Sequence, residues 1–161
     1  MEYQQALEPR TKIVAGDRRL TMLLMGIWQG LRRGPGRCAP AEDFFAALPK
    51  DLWTDCCVVE MTVDGGWQVC RVGETIARHS GVPAAPVRVA DLPPQSLLAA
   101  SIRELKHAHE TGVPILDDGE ARDGNGRRSL FRSIVLPLDD EEGRVVQLLA
   151  GARCRVILDD A

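Results

Sequence analysis

The sequence predicts an α+β fold in which one antiparallel sheet, built from an early and a late hairpin, is covered by the helical stretch between them. Three observations lead there. Arg127 to Leu158 alternates apolar and polar residues on either side of a charged loop. Asp55 to Val63 and Trp67 to Gly73 are rich in Val, Cys, Met and Trp and are separated by Asp64, Gly65 and Gly66. The residues between these hairpins carry helical spacing interrupted by prolines. Period-two alternation marks a strand with one buried face, and a short Asp/Gly link between two such runs is a hairpin signal.

In the late hairpin, Val146, Leu148, Ala150, Ala152, Cys154 and Val156 occupy every even position, with Gln147, Arg153 and Arg155 between them. The preceding run carries Leu130, Ile134, Leu136 and Leu138 in the same phase, interrupted by Arg132. Both strands are therefore expected to present one shared apolar face. Asp139 to Glu142 form a solvated tip, and Gly143 supplies the positive φ that a tight reversal needs.

A length of 161 residues fits one domain, read as a polar extension over 1–16 and a domain over 17–158. With 45% hydrophobic and 27% charged residues and a net charge of −3, the chain has a globular composition and lacks a basic footprint for nucleic acid. Cys38, Cys56, Cys57, Cys70 and Cys154 are odd in number and show no CxxC spacing. They read as reduced thiols packed as small hydrophobes, with no disulfide framework or zinc site. Adjacent Cys56 and Cys57 would point to opposite faces of a strand, which argues against a shared metal. Arg18 and Arg19 precede an apolar run too short to span a bilayer and without a cleavage pattern, so a cytoplasmic protein is expected.

A leading helix is expected over 17–33. Asp17 can cap it, Leu20, Leu23, Leu24, Ile27 and Leu31 make its apolar stripe, Met25 and Trp28 widen that stripe, and Gly34-Pro35-Gly36 ends it. A short helix follows over Ala41 to Leu48, started by Pro40 and stopped by Pro49. After the early hairpin, Glu74 to His79 form a brief helix closed by Gly81, and Pro83, Pro86, Pro93 and Pro94 exclude regular structure beyond it. Leu98, Ile102 and Leu105 then share one helical face that runs to a stop at Gly112. Val113 to Ala121 reads as a strand, and Arg122 to Gly126 turns it into the late hairpin.

The order of elements resembles the PAS fold, and several phrases resemble a bacterial single-domain PAS family. These are Ile27-Trp28-Gln29-Gly30-Leu31, Cys70-Arg71-Val72-Gly73, His79-Ser80-Gly81, Thr111-Gly112-Val113-Pro114, and Val135-Leu136-Pro137-Leu138 before an acidic turn and Gly143. The resemblance spans about Asp17 to Val156. It implies a five-stranded sheet of order 2-1-5-4-3 with helices over one face and a leading helix that packs a homodimer. It also implies small-molecule or redox sensing between helices and sheet, or protein interaction. With no output region in the chain, the signal is expected to pass to an effector protein in trans.

Leu20, Leu24, Ile27, Trp28 and Leu31 are the candidate dimer or partner surface, the alternative being that they cover the open face of the sheet. Ile134, Leu136, Val146, Leu148 and Ala150 are the candidate lining of a ligand cavity. His79 is the candidate haem ligand. His107 and His109 fall on opposite sides of a regular helix and cannot chelate one ion, and His109 fits a partly buried helix-end residue. Arg132, if buried, requires an acidic partner or an anionic ligand; a bulge at Ser133 would instead turn it to water, the favoured reading. Asp117, Asp118 and Glu120 are split between faces by strand alternation. No catalytic motif or metal cluster is present, so an enzyme is disfavoured. The functional readings are a PAS-like signalling module acting through protein contacts, a sensor of haem, flavin or a metabolite, and, last, a small enzyme; no cofactor is required by the sequence.

Overall fold

The computed structural model describes residues 15–82 and 85–158. Residues 1–14 of the expected extension, and Pro83, lie outside the described residues.

Helix α1 (Ala15–Leu31) opens the described chain. It is described from Ala15, two residues before Asp17, the position at which the sequence placed its start. A two-residue strand β1 (Ala39–Pro40) precedes α2 (Ala41–Ala47), with Pro40 at the N-cap as expected, and a one-turn α3 (Lys50–Trp53) that the sequence reading passed over. Strands β2 (Cys56–Met61) and β3 (Trp67–Val72) form the early hairpin. Helix α4 (Glu74–Ser80) ends on Gly81 in the left-handed region, at φ 68°. Beyond the short strand β4 (Val87–Arg88) lie α5 (Leu97–Ser101) and α6 (Leu105–Thr111), then β5 (Ile115–Arg122), β6 (Arg128–Asp139) and β7 (Val145–Val156).

The helix expected from Leu98 to Gly112 is thus two helices. The Ser101 hydroxyl donates to the Leu98 carbonyl at 2.8 Å, and the chain resumes through a tighter bond from the Leu105 N–H to the Ile102 carbonyl. Such back-bonding competes with the helical ladder. The break lets Leu98, Ile102 and Leu105 all stay buried, at 0%, 2% and 6% exposure, and it swings Arg103 out over β5.

The sheet runs β1-β6-β7-β2-β3-β4, with β5 also paired to β6. Taken alone, the five long strands have the order 2-1-5-4-3 that the PAS resemblance implies, with β1 and β4 added at its margins.

The register of the late hairpin departs from expectation. Asp139 faces Val145, but Leu138 faces Gln147, so Val146 is a bulge left without a partner. From there on even residues of β6 face odd residues of β7: Leu136 faces Leu149, and Ile134 faces Gly151. A one-residue offset sends every side chain to the other face. The hairpin therefore has two apolar faces, and helices cover both, not one. On the first face, Leu20, Leu24 and Trp28 of α1, with Phe44 and Leu52, bury Cys56, Ile134, Leu136, Leu138 and Leu149. On the second, Ile76, Leu98, Ile102 and Leu105 bury Cys57, Val59, Val69, Phe131, Val135 and Leu148. Cys56 and Cys57 do part to opposite faces.

Helix α1 lies close against the sheet. A Cβ on Gly151 would run into Leu24 Cδ1, and the Trp28 indole N–H donates to the Pro137 carbonyl at 2.7 Å. Among the described residues no helix is long and apolar enough to cross a membrane.

Candidate functional site

With both faces of the sheet filled by side chains, the features left for function lie at the margins. The first is a cleft of about 380 Å³ beside the outer strand β5, lined by Pro94, Gln95, Ala99, Ala100, Arg103, Glu120, Ala121 and Arg122. The second is a groove of about 280 Å³ between α1 and β5, lined by Thr21, Met22, Met25, Gly26, Gln29 and Leu116.

The cleft is organised by Arg103. Its Nε and Nη2 donate to the Asp117 carboxylate at 2.8–3.1 Å, and Nη2 also reaches the Asp118 carbonyl at 3.2 Å. The guanidinium stands 5.8 Å from the centroid of the buried Phe131 ring. Gly119 makes this approach feasible, because a Cβ there would sit 3.3 Å from Phe131 Cε2 and 3.6 Å from Arg103 Nη2. On the far side, the Arg122 N–H donates to the Gln95 carbonyl at 2.7 Å and its Nη1 to the Gly126 carbonyl at 2.9 Å. Glu120 is engaged by Arg128 at 2.6 Å. Neither arginine was singled out from sequence. An isolated glycine inside a strand marks close approach of another group, so Gly119 was the available signal.

In the groove on the other face, Met22 is 70% exposed and Leu116 40%, while Gly26 has nothing within 4 Å of where a Cβ would stand. This flank of α1 is turned away from the stripe singled out in the sequence. Leu20, Leu24 and Trp28 of that stripe are 0%, 0% and 3% exposed against the chain's own sheet, and Ile27 and Leu31 are half-buried beside them. The stripe thus covers the sheet, and the open apolar surface of α1 lies a quarter-turn and more away.

The five candidate cavity residues do not line one space. Ile134 and Leu136 pack under α1, Leu148 and Ala150 pack on the opposite face, and bulged Val146 is 42% exposed. The bulge is the reason.

Arg132 is buried at 6% exposure, contrary to the solvated reading, and its Nε and Nη2 have no hydrogen-bond partner. In register it lies between Asp118 on β5 and Arg153 on β7, and Arg153 is bonded to the buried Asp55 at 2.9 Å. His79 is half-buried on α4. His107 is exposed, 3.7 Å from Glu104, whereas His109 stacks edge-on against Trp67 at 5.1 Å between centroids. The described residues contain no group of three or more His, Cys, Asp or Glu able to hold a metal.

Cys38, Cys56, Cys57 and Cys70 are structural in character. Burial, with the Asp139 carboxylate beside it, pushes the Cys38 thiol up to about 12, and burial alone does the same to Cys57. Cys56 is raised further by burial, and Cys70 is held at about 11 by burial and the neighbouring Glu60. Thiols raised this far carry almost no thiolate near neutral pH and are poor nucleophiles.

No family model matches the chain, and no curated protein matches its sequence. Among solved structures it is similar to a light-oxygen-voltage domain studied with a flavin analogue, with 13% identity and a TM-score of 0.48 over 65% of this chain and 78% of that one. It is also similar to the light state of the blue-light photoreceptor Aureochrome1 LOV, with 11% identity and a TM-score of 0.46 over 67% of this chain and 84% of that one. A mutant of Vivid matches at 13% identity and a TM-score of 0.47, over 66% of this chain and 86% of that one.

Proposed function

We propose that this chain is a PAS-type signalling module that acts through protein contacts, pairing with a second copy of itself through the exposed flank of α1. The observation that supports this reading is the placement of Met22, Met25 and Leu116. Both faces of the sheet are sealed by the chain's own residues, yet these three border an open groove around Gly26. Met22 and Leu116, large apolar side chains kept in water beside half-buried Met25 and a glycine where another backbone can approach closely, are suited to packing against a partner helix. Methionine, being unbranched and polarizable, adapts well to such a surface. A groove repeated on two identical chains gives an isologous contact about a two-fold axis, and the output then passes to an effector in trans.

Sedimentation equilibrium over a wide concentration range tests the pairing. A reversible dimer is expected, weakened by about tenfold or more in Met22→Glu, since a carboxylate would have to be desolvated at the contact. A strict monomer at high concentration would remove the proposal.

A further inference from the structure

The cleft beside β5 is explained by neither the two cores nor the α1 surface, and its chemistry is selective. Its floor is made of small apolar side chains brought from two elements, Ala99 and Ala100 of α5 and Ala121 of β5. Its rim is cationic. Arg103 and Arg122 both line it, and both keep guanidinium surface in solvent, with the Arg103 side chain 52% exposed. Glu120, the carboxylate of the lining, is paired with Arg128 on the neighbouring strand. The hydrogen bonds of the Arg103 side chain use its Nε and Nη2, and that of the Arg122 side chain uses its Nη1. This leaves Nη1 of Arg103 and Nη2 of Arg122, on side chains that line the cleft, for a ligand.

We propose that this cleft binds a small carboxylate, its anionic end between Arg103 and Arg122 and its short apolar body on the three alanines. The planar guanidinium fork matches a carboxylate in bidentate fashion, and Arg103 already holds the Asp117 carboxylate in that way, through Nε on Oδ2 and Nη2 on Oδ1. The volume of about 380 Å³ is at the small end of ligand sites and suits a compact metabolite. The site lies at the margin of the sheet, outside the packed interior between helices and sheet.

Occupancy has a route to the rest of the molecule. A ligand carboxylate competes with Asp117 for Arg103, and Asp117 is followed back along β5 by Leu116, which borders the α1 groove on the opposite face. This coupling rests on the signalling reading above. The binding step does not.

Titration calorimetry on the full chain provides the test, with butyrate, succinate and inorganic phosphate as probes at fixed ionic strength. At least one carboxylate is expected to bind saturably and phosphate at least about tenfold more weakly. Arg122→Gln, at an exposed position, should weaken binding by about tenfold or more. Ala99→Leu, which keeps both arginines but fills the floor, should abolish it. Absence of saturable heat with either carboxylate would overturn the proposal, as would phosphate binding equal to the carboxylates or unchanged binding by Ala99→Leu. Loss of the dimer in Met22→Glu with unchanged carboxylate affinity would separate the fate of the pairing from that of the site.

Discussion

Arg103 closes on Asp117 with three nitrogen–oxygen contacts of 2.8–3.1 Å, joining the break between α5 and α6 to the outer strand β5. The arginine is half exposed and the aspartate 19% exposed, so solvent and salt screen the pair. A double-mutant cycle with Arg103→Ala and Asp117→Ala should give a coupling of about 1 kcal/mol at low salt, falling by about half in molar salt. A coupling indistinguishable from zero at low salt would mean that the break, not the ion pair, positions Arg103.

Arg132 bears a charge that the interior does not compensate at Nε and Nη2. Taking a guanidinium out of water costs several kcal/mol, and replacing buried charged groups by apolar residues of similar volume is often neutral or stabilising by about 1–4 kcal/mol. Arg132→Met is therefore expected to raise the urea midpoint, with an increase of about 1–3 kcal/mol. A clear loss of stability instead would show that the guanidinium finds a partner in solution.

Glycines 73 and 30 make a contrast. A Cβ at Gly73 would strike the Trp53 and Thr54 carbonyl oxygens, whereas at Gly30 in α1 it meets nothing within 4 Å. Gly73→Ala should cost about 3 kcal/mol, because the obstacle is backbone and cannot rotate away. Gly30→Ala should add about 0.5–1 kcal/mol through helix propensity. Equal effects in thermal unfolding would contradict the packing described here.

The thiols predict alkaline instability. Cys38, Cys56 and Cys57 are raised in the folded chain, while unfolded thiols titrate near 8.5 as a rough reference. Above that value the unfolded state loses protons that the folded state keeps. The stability these groups contribute is complete below about pH 8.5 and declines as pH climbs toward the folded values, with a limiting slope of about 4 kcal/mol per pH unit for three thiols. Urea unfolding between about pH 8 and pH 10 should show a steep fall, and Cys38→Ser should make it shallower. A flat profile would refute the linkage.

The early hairpin was legible because Asp64-Gly65-Gly66 is local turn chemistry, and α1 because Leu20, Leu24 and Trp28 repeat at helical spacing. The late hairpin was legible as a pair of strands but not in its phase. Paired outward from Asp139 and Val145 without interruption, Ile134 would have met Ala150 on a common face. The bulge at Val146 shifts the count by one, and nothing in the local residue pattern announces it. Register is a property of two strands together, and the apolar content of both faces is what selects it. For the same reason the cavity inferred from even-numbered residues dissolves. Arg103 and Arg122 come together only through a helix break and a strand edge; Gly119 marks a close approach at that strand, but nothing along the chain names the two arginines. The buried state of Arg132 could not be read from its position, since it depends on what covers that end of the sheet.

The extra residue at Val146 also says where the gene can change length. Insertions or deletions between Asp140 and Arg144 stay within the exposed tip and leave both cores in step. Loss of Val146 itself would close the ladder and keep Leu136 opposite Leu149 and Ile134 opposite Gly151, whereas loss of one residue between Leu148 and Gly151 would move residues that now pack beneath different helix layers onto the same side. Single-codon gaps in homologous genes should therefore accumulate at the tip and at Val146 and be purged from Leu148 to Gly151, a pattern visible in any sufficiently deep set of orthologues.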